Sequence, residues 1–91
     1  MKIRELLSDE LTWTKGASGR TREGFSCLPD SVDAVRWCLS GAVERCYEGR
    51  LGIPIFGRIE RALAMGEVMD WNDAPERTFA EVKALVDMLD I

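Results

Sequence analysis

Histidine is absent from the chain. That removes the commonest general base and the commonest metal ligand, so any enzyme built on these residues would have to run on carboxylates, thiols, hydroxyls or an imported metal. Cysteine is limited to Cys27, Cys38 and Cys46. No two of them stand two to four residues apart, the spacing that zinc ligands use, so no metal site is expected. No disulfide is expected either, because the number is odd and nothing in the sequence points to an oxidising compartment. The three thiols read more simply as small hydrophobes, and no residue near Cys27 supplies a base that would make it a nucleophile. No apolar run approaches the length needed to span a bilayer. The opening residues Met1-Lys2-Ile3-Arg4-Glu5 lack the apolar segment of a signal peptide, so a cytoplasmic location with no membrane partner is expected. Neither a G-x-x-x-x-G-K-[ST] nor a G-x-G-x-x-G pattern occurs, and no nucleotide or other cofactor is implied. Internal repeats and low-complexity stretches are missing too.

What is present fits one modest globular unit of 91 residues, read here as a single helical domain covering 1–91. The net charge of −4 is unevenly placed. Acidic and basic side chains balance over residues 1–60. Residues 61–91 set Arg61, Arg77 and Lys83 against Glu67, Asp70, Asp73, Glu76, Glu81, Asp87 and Asp90. An acidic C-terminal third argues against nucleic acid as a partner.

Hydrophobic periodicity predicts four helices, at roughly 2–10, 31–48, 54–65 and 79–90, and hence a mainly α fold, a small bundle. Ile3, Leu6, Leu7 and Leu11 make the first stripe. Val32, Val35, Leu39, Ala42, Val43 and Cys46 make the second, with Asp30 as the expected cap and Gly49 as the stop. Gly41 inside that helix calls for close approach of another backbone, expected to be a crossing helix. Pro54 suits the first turn of the third helix, which Gly66 closes. Between the first two helices, Thr14 to Gly24 is rich in glycine and small polar residues. It reads as a loop, or as a short β-hairpin within 14–28, with Thr21 to Gly24 turning and Phe25 to Leu28 returning.

The densest chemistry lies in Trp71-Asn72-Asp73-Ala74-Pro75-Glu76-Arg77-Thr78. Thr78 followed by Glu81 is a capping box for the last helix, whose stripe is Phe79, Val82, Leu85, Val86 and Leu89. Asn72 and Asp73 favour turns, and Pro75 keeps Ala74 out of helical geometry. One reading makes the whole block a turn, with Trp71 anchored in the core. The other makes it a site: Asp70, Asp73 and Glu76 could hold a cation or act as an acid–base pair beside Arg77, with Trp71 and Asn72 adding recognition. Trp37, at the edge of its stripe, could be half exposed and meet a partner. The candidate binding residues are therefore Trp71, Asn72, Asp73, Arg77 and Trp37. Lys15, Arg20 and Arg22 in the glycine-rich loop could clasp a phosphate, although a solvated loop explains them as well.

Three stretches, Leu11 to Ala17, Asp33 to Ala42 and Trp71 to Val82, resemble small bacterial and phage proteins classed as a domain of unknown function. The match carries W-C-x-x-G-A and W-N-D-A-P-x-R-T-x-x-E-V. Leu11-Thr12 departs from the more usual glycine-containing approach to the first tryptophan. The resemblance implies a shared, mainly helical fold and no assigned activity. It points to Trp37, Cys38, Gly41, Trp71, Asn72, Asp73, Arg77 and Thr78 as the motif positions.

Two functional expectations follow. The first is a non-enzymatic protein-interaction module, binding another protein or itself. The alternative is a small-molecule or metal-dependent enzyme using the acidic residues around Asp73 with Arg77. A nucleic-acid mimic resting on the acidic third ranks last.

Overall fold

The computed structural model describes residues 1–63 and 66–91. Among them are five α-helices: α1 (Ile3–Leu6), α2 (Leu39–Cys46), α3 (Gly52–Leu63), α4 (Val68–Asp73) and α5 (Phe79–Leu89). Two 3₁₀ turns, Glu10–Thr12 and Gly49–Leu51, join them. A three-stranded antiparallel sheet is built from β1 (Gly19–Arg20), β2 (Ser26–Cys27) and β3 (Arg36–Trp37) in the order β2-β1-β3. The expectation of a four-helix, mainly α bundle is therefore overturned.

Each departure has a local cause. The first helix stops at Leu6, because Asp9 caps a separate 3₁₀ turn by accepting from the Leu11 amide at 2.7 Å. Leu11, counted in the first stripe, is 74% exposed. The second helix begins at Leu39, eight residues later than the expected start at 31. Its cap is not Asp30 but Cys38, whose Sγ accepts from the Gly41 amide at 3.2 Å. Ser31 to Ala34 make one turn, closed by the Ala34 amide on the Ser31 carbonyl, and Arg36–Trp37 pair with β1, with the Val35 amide also donating to the Arg20 carbonyl. The third helix starts at Gly52, with Pro54 in its first turn. Positions 64–65 of its expected span lie outside the described residues. A helix over 68–73 was not expected at all, and it contains Trp71, Asn72 and Asp73.

Two expectations match the structure. The hairpin forms with Gly19 opposite Cys27 and Arg20 opposite Ser26, its turn closed by the Gly24 amide on the Thr21 carbonyl. The last helix carries both halves of the Thr78/Glu81 capping box and ends on Asp90 at φ 54°.

The outer edge of β3 is covered: Trp13 bridges to Trp37 in parallel, and the Thr14 amide donates to the Trp37 carbonyl at 3.1 Å. The core gathers Ile3, Leu7, Leu39, Ala42, Val43, Ile59, Val82, Val86 and Ile91, all fully buried. Each large aliphatic among them contributes about 1.5–3 kcal/mol by leaving water. Residues 2–4 and 90–91 meet. The Ile3 amide donates to the Ile91 carbonyl at 2.6 Å, the Tyr47 hydroxyl donates to the same carbonyl, and Lys2 and Arg4 both pair with Asp90.

Candidate functional site

The Trp71-to-Thr78 block opens with α4, and that helix turns Asn72 inward until it is fully buried. A buried amide needs partners for its oxygen and its nitrogen alike. Asn72 Oδ1 accepts from Trp13 Nε1 at 2.7 Å and from the Leu39 amide at 3.0 Å. Its Nδ2 donates to the Thr14 carbonyl at 3.1 Å and to Asp73 Oδ1 at 2.9 Å. The second of the oxygen's bonds satisfies an orphan amide in the first turn of α2.

The contacts run in step along two segments. Trp13 and Thr14 meet Asn72. Lys15 Nζ donates to the Ala74 carbonyl at 2.7 Å, and the Gly16 amide donates to Asp73 Oδ1 at 3.0 Å. Residues 13–16 are thus strapped along residues 72–74. Two more backbone positions lock the strap. Gly41 lies under Ser18 so closely that a Cβ there would come within 1.8 Å of the Ser18 carbonyl oxygen. The close backbone approach expected at Gly41 therefore comes from the loop and not from a crossing helix. Gly16, at φ 80°, turns the chain beneath the Arg20 guanidinium.

The other candidates take up positions in the same joint. Arg77 lies over the Trp71 ring, its guanidinium carbon 4.0 Å from the centroid. It donates to the Trp71 carbonyl at 2.9 Å and pairs with Glu81 at 2.9 Å, not with Asp70, Asp73 or Glu76. Stacking and a backbone bond fix it as a clamp on the α4–α5 corner. Glu81 is held below its ordinary range by the Thr78 amide and hydroxyl and by Arg77. Trp37 is only 6% exposed. Its indole N–H donates to the Pro29 carbonyl at 2.8 Å and Arg45 covers its ring, so it is not the half-exposed surface expected. Burial pushes the Cys38 thiol up, and the Asp73 charge adds to the shift. That thiol is a helix cap and not a nucleophile in waiting.

The would-be phosphate clasp is dispersed. Lys15 is tied to Ala74, and Arg20 donates to Thr14 Oγ1 and to the Gly24 and Lys15 carbonyls, each at 3.0 Å. Asp70 and Glu76 are exposed, whereas Asp73 faces inward to the strap. Among the described residues no three Asp, Glu or Cys side chains gather as a metal-ligand set. Every buried side-chain nitrogen and oxygen among them has a partner. The structure therefore brings Asn72 and Asp73 together with residues 13–16, sets Arg77 on Trp71 at the adjoining corner, and leaves Trp37 in β3 with its indole bonded to Pro29.

Sequence reasoning missed the exposure of four apolar side chains in and beside the sheet. Phe25 and Leu28 are each 71% exposed, Val32 is 95% exposed and Val35 is 39% exposed. Val32 and Val35 had been counted in a buried stripe. The exposed return strand Phe25 to Leu28 was the available signal. Val32 and Val35 line one cleft with Thr21, Arg22, Glu23 and Asp33.

No helix among the described residues is long and apolar enough to cross a membrane. Neither curated proteins nor solved structures yield a significant match to the chain. One family model does, over residues 1–89, and its description assigns no activity. The chain belongs to that family, the family of unknown function DUF6197.

Proposed function

We propose that the protein is a small interaction module without catalytic activity, working in the cytoplasm of a bacterium or on behalf of a phage. Its W-N-D-A-P-x-R-T segment is read as the joint of the fold and not as a reaction centre. The observation that carries this reading is the complete internal engagement of Asn72. All four of its hydrogen bonds end on the loop, on α2 and on the neighbouring carboxylate, with no group turned toward a substrate. Asp73 and Arg77 follow the same pattern.

The surface offered to a partner is the cleft beside the hairpin tip, where Val32 and Val35 stand in water. Exposed apolar side chains grouped in this way mark contact surfaces more often than isolated ones do. Charged residues line the same cleft: Arg22, Glu23 and Asp33. The patch suits a protein and not a nucleic acid.

The test is capture from a native cell extract with tagged wild type and with Val32→Lys. Wild type should retain a protein, its own chain or another, that Val32→Lys loses while melting at the same temperature. Capture of nothing by either form, together with a ligand-induced melting shift that Asp73→Ala abolishes without unfolding, would transfer the assignment to the enzyme alternative.

A further inference from the structure

Residues 8–36 are inserted between α1 and α2, two helices that pack directly on each other. α1 also packs on α5, and α2 on α3 and α4, so the helices close a core without the insertion. Every fully buried aliphatic side chain of the described core lies outside residues 8–36. Within them, Leu11, Phe25, Leu28, Val32 and Val35 are exposed, and Trp13 and Cys27 are half-buried. The buried side chains there are small, those of Pro29 and Ala34.

What fastens this stretch to the helices is largely polar. Asn72 binds Trp13 and Thr14, Asp73 accepts from the Gly16 amide, and Lys15 donates to the Ala74 carbonyl. Arg45 of α2 donates to the Pro29 and Ser31 carbonyls at 3.1 and 3.0 Å. The strands β1 and β2 are two residues long, and a hairpin of that size does not stand alone in water.

We propose that residues 8–36 are a lid, opening as one unit by local unfolding while the helices stay folded, with Asn72 and Asp73 as its catch. Segments with few buried apolar contacts open at lower free energy than the whole domain. Opening here exposes little apolar surface, and water replaces most of each hydrogen bond that is lost. The stretch regains its backbone freedom, which favours the open form. Its two ends remain held by the α1–α2 contact, so the core is not disturbed. Asn72 is fully buried under the closed lid, and its amide and the Leu39 amide it caps reach water only when the lid is open. The lid stands whether or not the protein is an interaction module.

The experiment is native-state amide hydrogen exchange of the full chain, read by NMR where reclosing outpaces exchange. The lid reporters are the amides of Thr14, Gly16, Thr21 and Val35, bonded to the Trp37 carbonyl, to Asp73, and to the Phe25 and Arg20 carbonyls. The core reporters are Tyr47, bonded to the Val43 carbonyl, and Val86 inside α5. After correction for intrinsic rates, the four lid amides should share one opening and exchange about a hundredfold faster than the core pair. Ile59→Val weakens α3 in the core, so Tyr47 and Val86 should exchange about two- to tenfold faster while the lid amides keep their rate. Asp73→Ala should speed all four lid amides by about tenfold, because it strands the Gly16 amide. Lid and core amides that exchange at one common rate would overturn the lid. So would an Ile59→Val chain in which both sets accelerate by the same factor, since both would then exchange through global unfolding. Lid amides indifferent to Asp73→Ala would overturn the catch.

Discussion

Replacing Asn72 by alanine is the sharpest perturbation of the joint. The side chain is fully buried and makes four hydrogen bonds, and its removal strands the Leu39 amide, the Trp13 indole N–H and the Thr14 carbonyl. A buried polar group left without a partner costs about 1–3 kcal/mol. The Leu39 amide bears that in full, because it lies inside the core beside Cys38. Trp13 and Thr14 are half-buried, and water can relieve part of their loss. With a small further penalty for the vacated volume, the total comes to about 3–5 kcal/mol. A domain of this length holds about 5–14 kcal/mol altogether. Asn72→Ala should therefore lower the melting temperature by roughly 15–30 °C. Urea unfolding followed by circular dichroism gives the free energy directly, and tryptophan fluorescence should report Trp13 leaving its site. Asn72→Asp separates hydrogen bonding from volume. It keeps both accepted bonds, loses both donated ones and sets a second carboxylate against Asp73. Its own folded pKa is then raised, so its penalty applies above the ordinary carboxylate range and fades as pH falls. A loss below about 1 kcal/mol for Asn72→Ala would show that residues 13–16 hold their place without the amide, and the joint would have to be sought elsewhere.

Two further substitutions test the frame around that joint. Gly41→Ala should destabilise by about 3 kcal/mol or more, because its Cβ would sit 1.8 Å from the Ser18 carbonyl oxygen and the strap would have to lift. If helix propensity were the only effect, thermal melts would instead show a gain of about 1 kcal/mol. Glu81→Gln tests the capping box. The folded pKa of Glu81 is depressed below its ordinary 4.5, so its contribution is complete above that value and is lost as pH falls through the depressed one. Melting temperature measured down an acid series should fall less steeply in Glu81→Gln than in wild type, and equal slopes would remove Glu81 from the acid response.

The last helix and the hairpin were legible in the sequence because local rules govern both. A threonine three residues before a glutamate caps a helix wherever it falls, and a turn at Thr21 to Gly24 with a short extended return needs no distant partner. The fold class was not legible, because the deciding interactions are long-range. Residues 31–37 share a helical stripe with Leu39 to Cys46, yet the bonds from Val35 and Trp37 lead to β1, Pro29 and Thr14. Tertiary pairing overrode periodicity there. Helix α4 was hidden because Asn72 and Asp73 favour turns when read alone, and only a buried Asn72 explains why they are helical. The candidate site was legible as a place and not as a role. Asn72 and Asp73 bind residues 13–16, a segment that sequence reading left as a loop, while Trp71 and Arg77 clamp one another at the α4–α5 corner.

Ile3 and Ile91 are both buried and joined main chain to main chain, with Tyr47 holding the same carbonyl. Residues 2–4 and 90–91 are thus fastened to one another by main chain and by the pairs of Lys2 and Arg4 with Asp90. A single proteolytic nick at the exposed turn of residues 22–23 should therefore leave two fragments that stay associated, with the Asn72 joint still assembled.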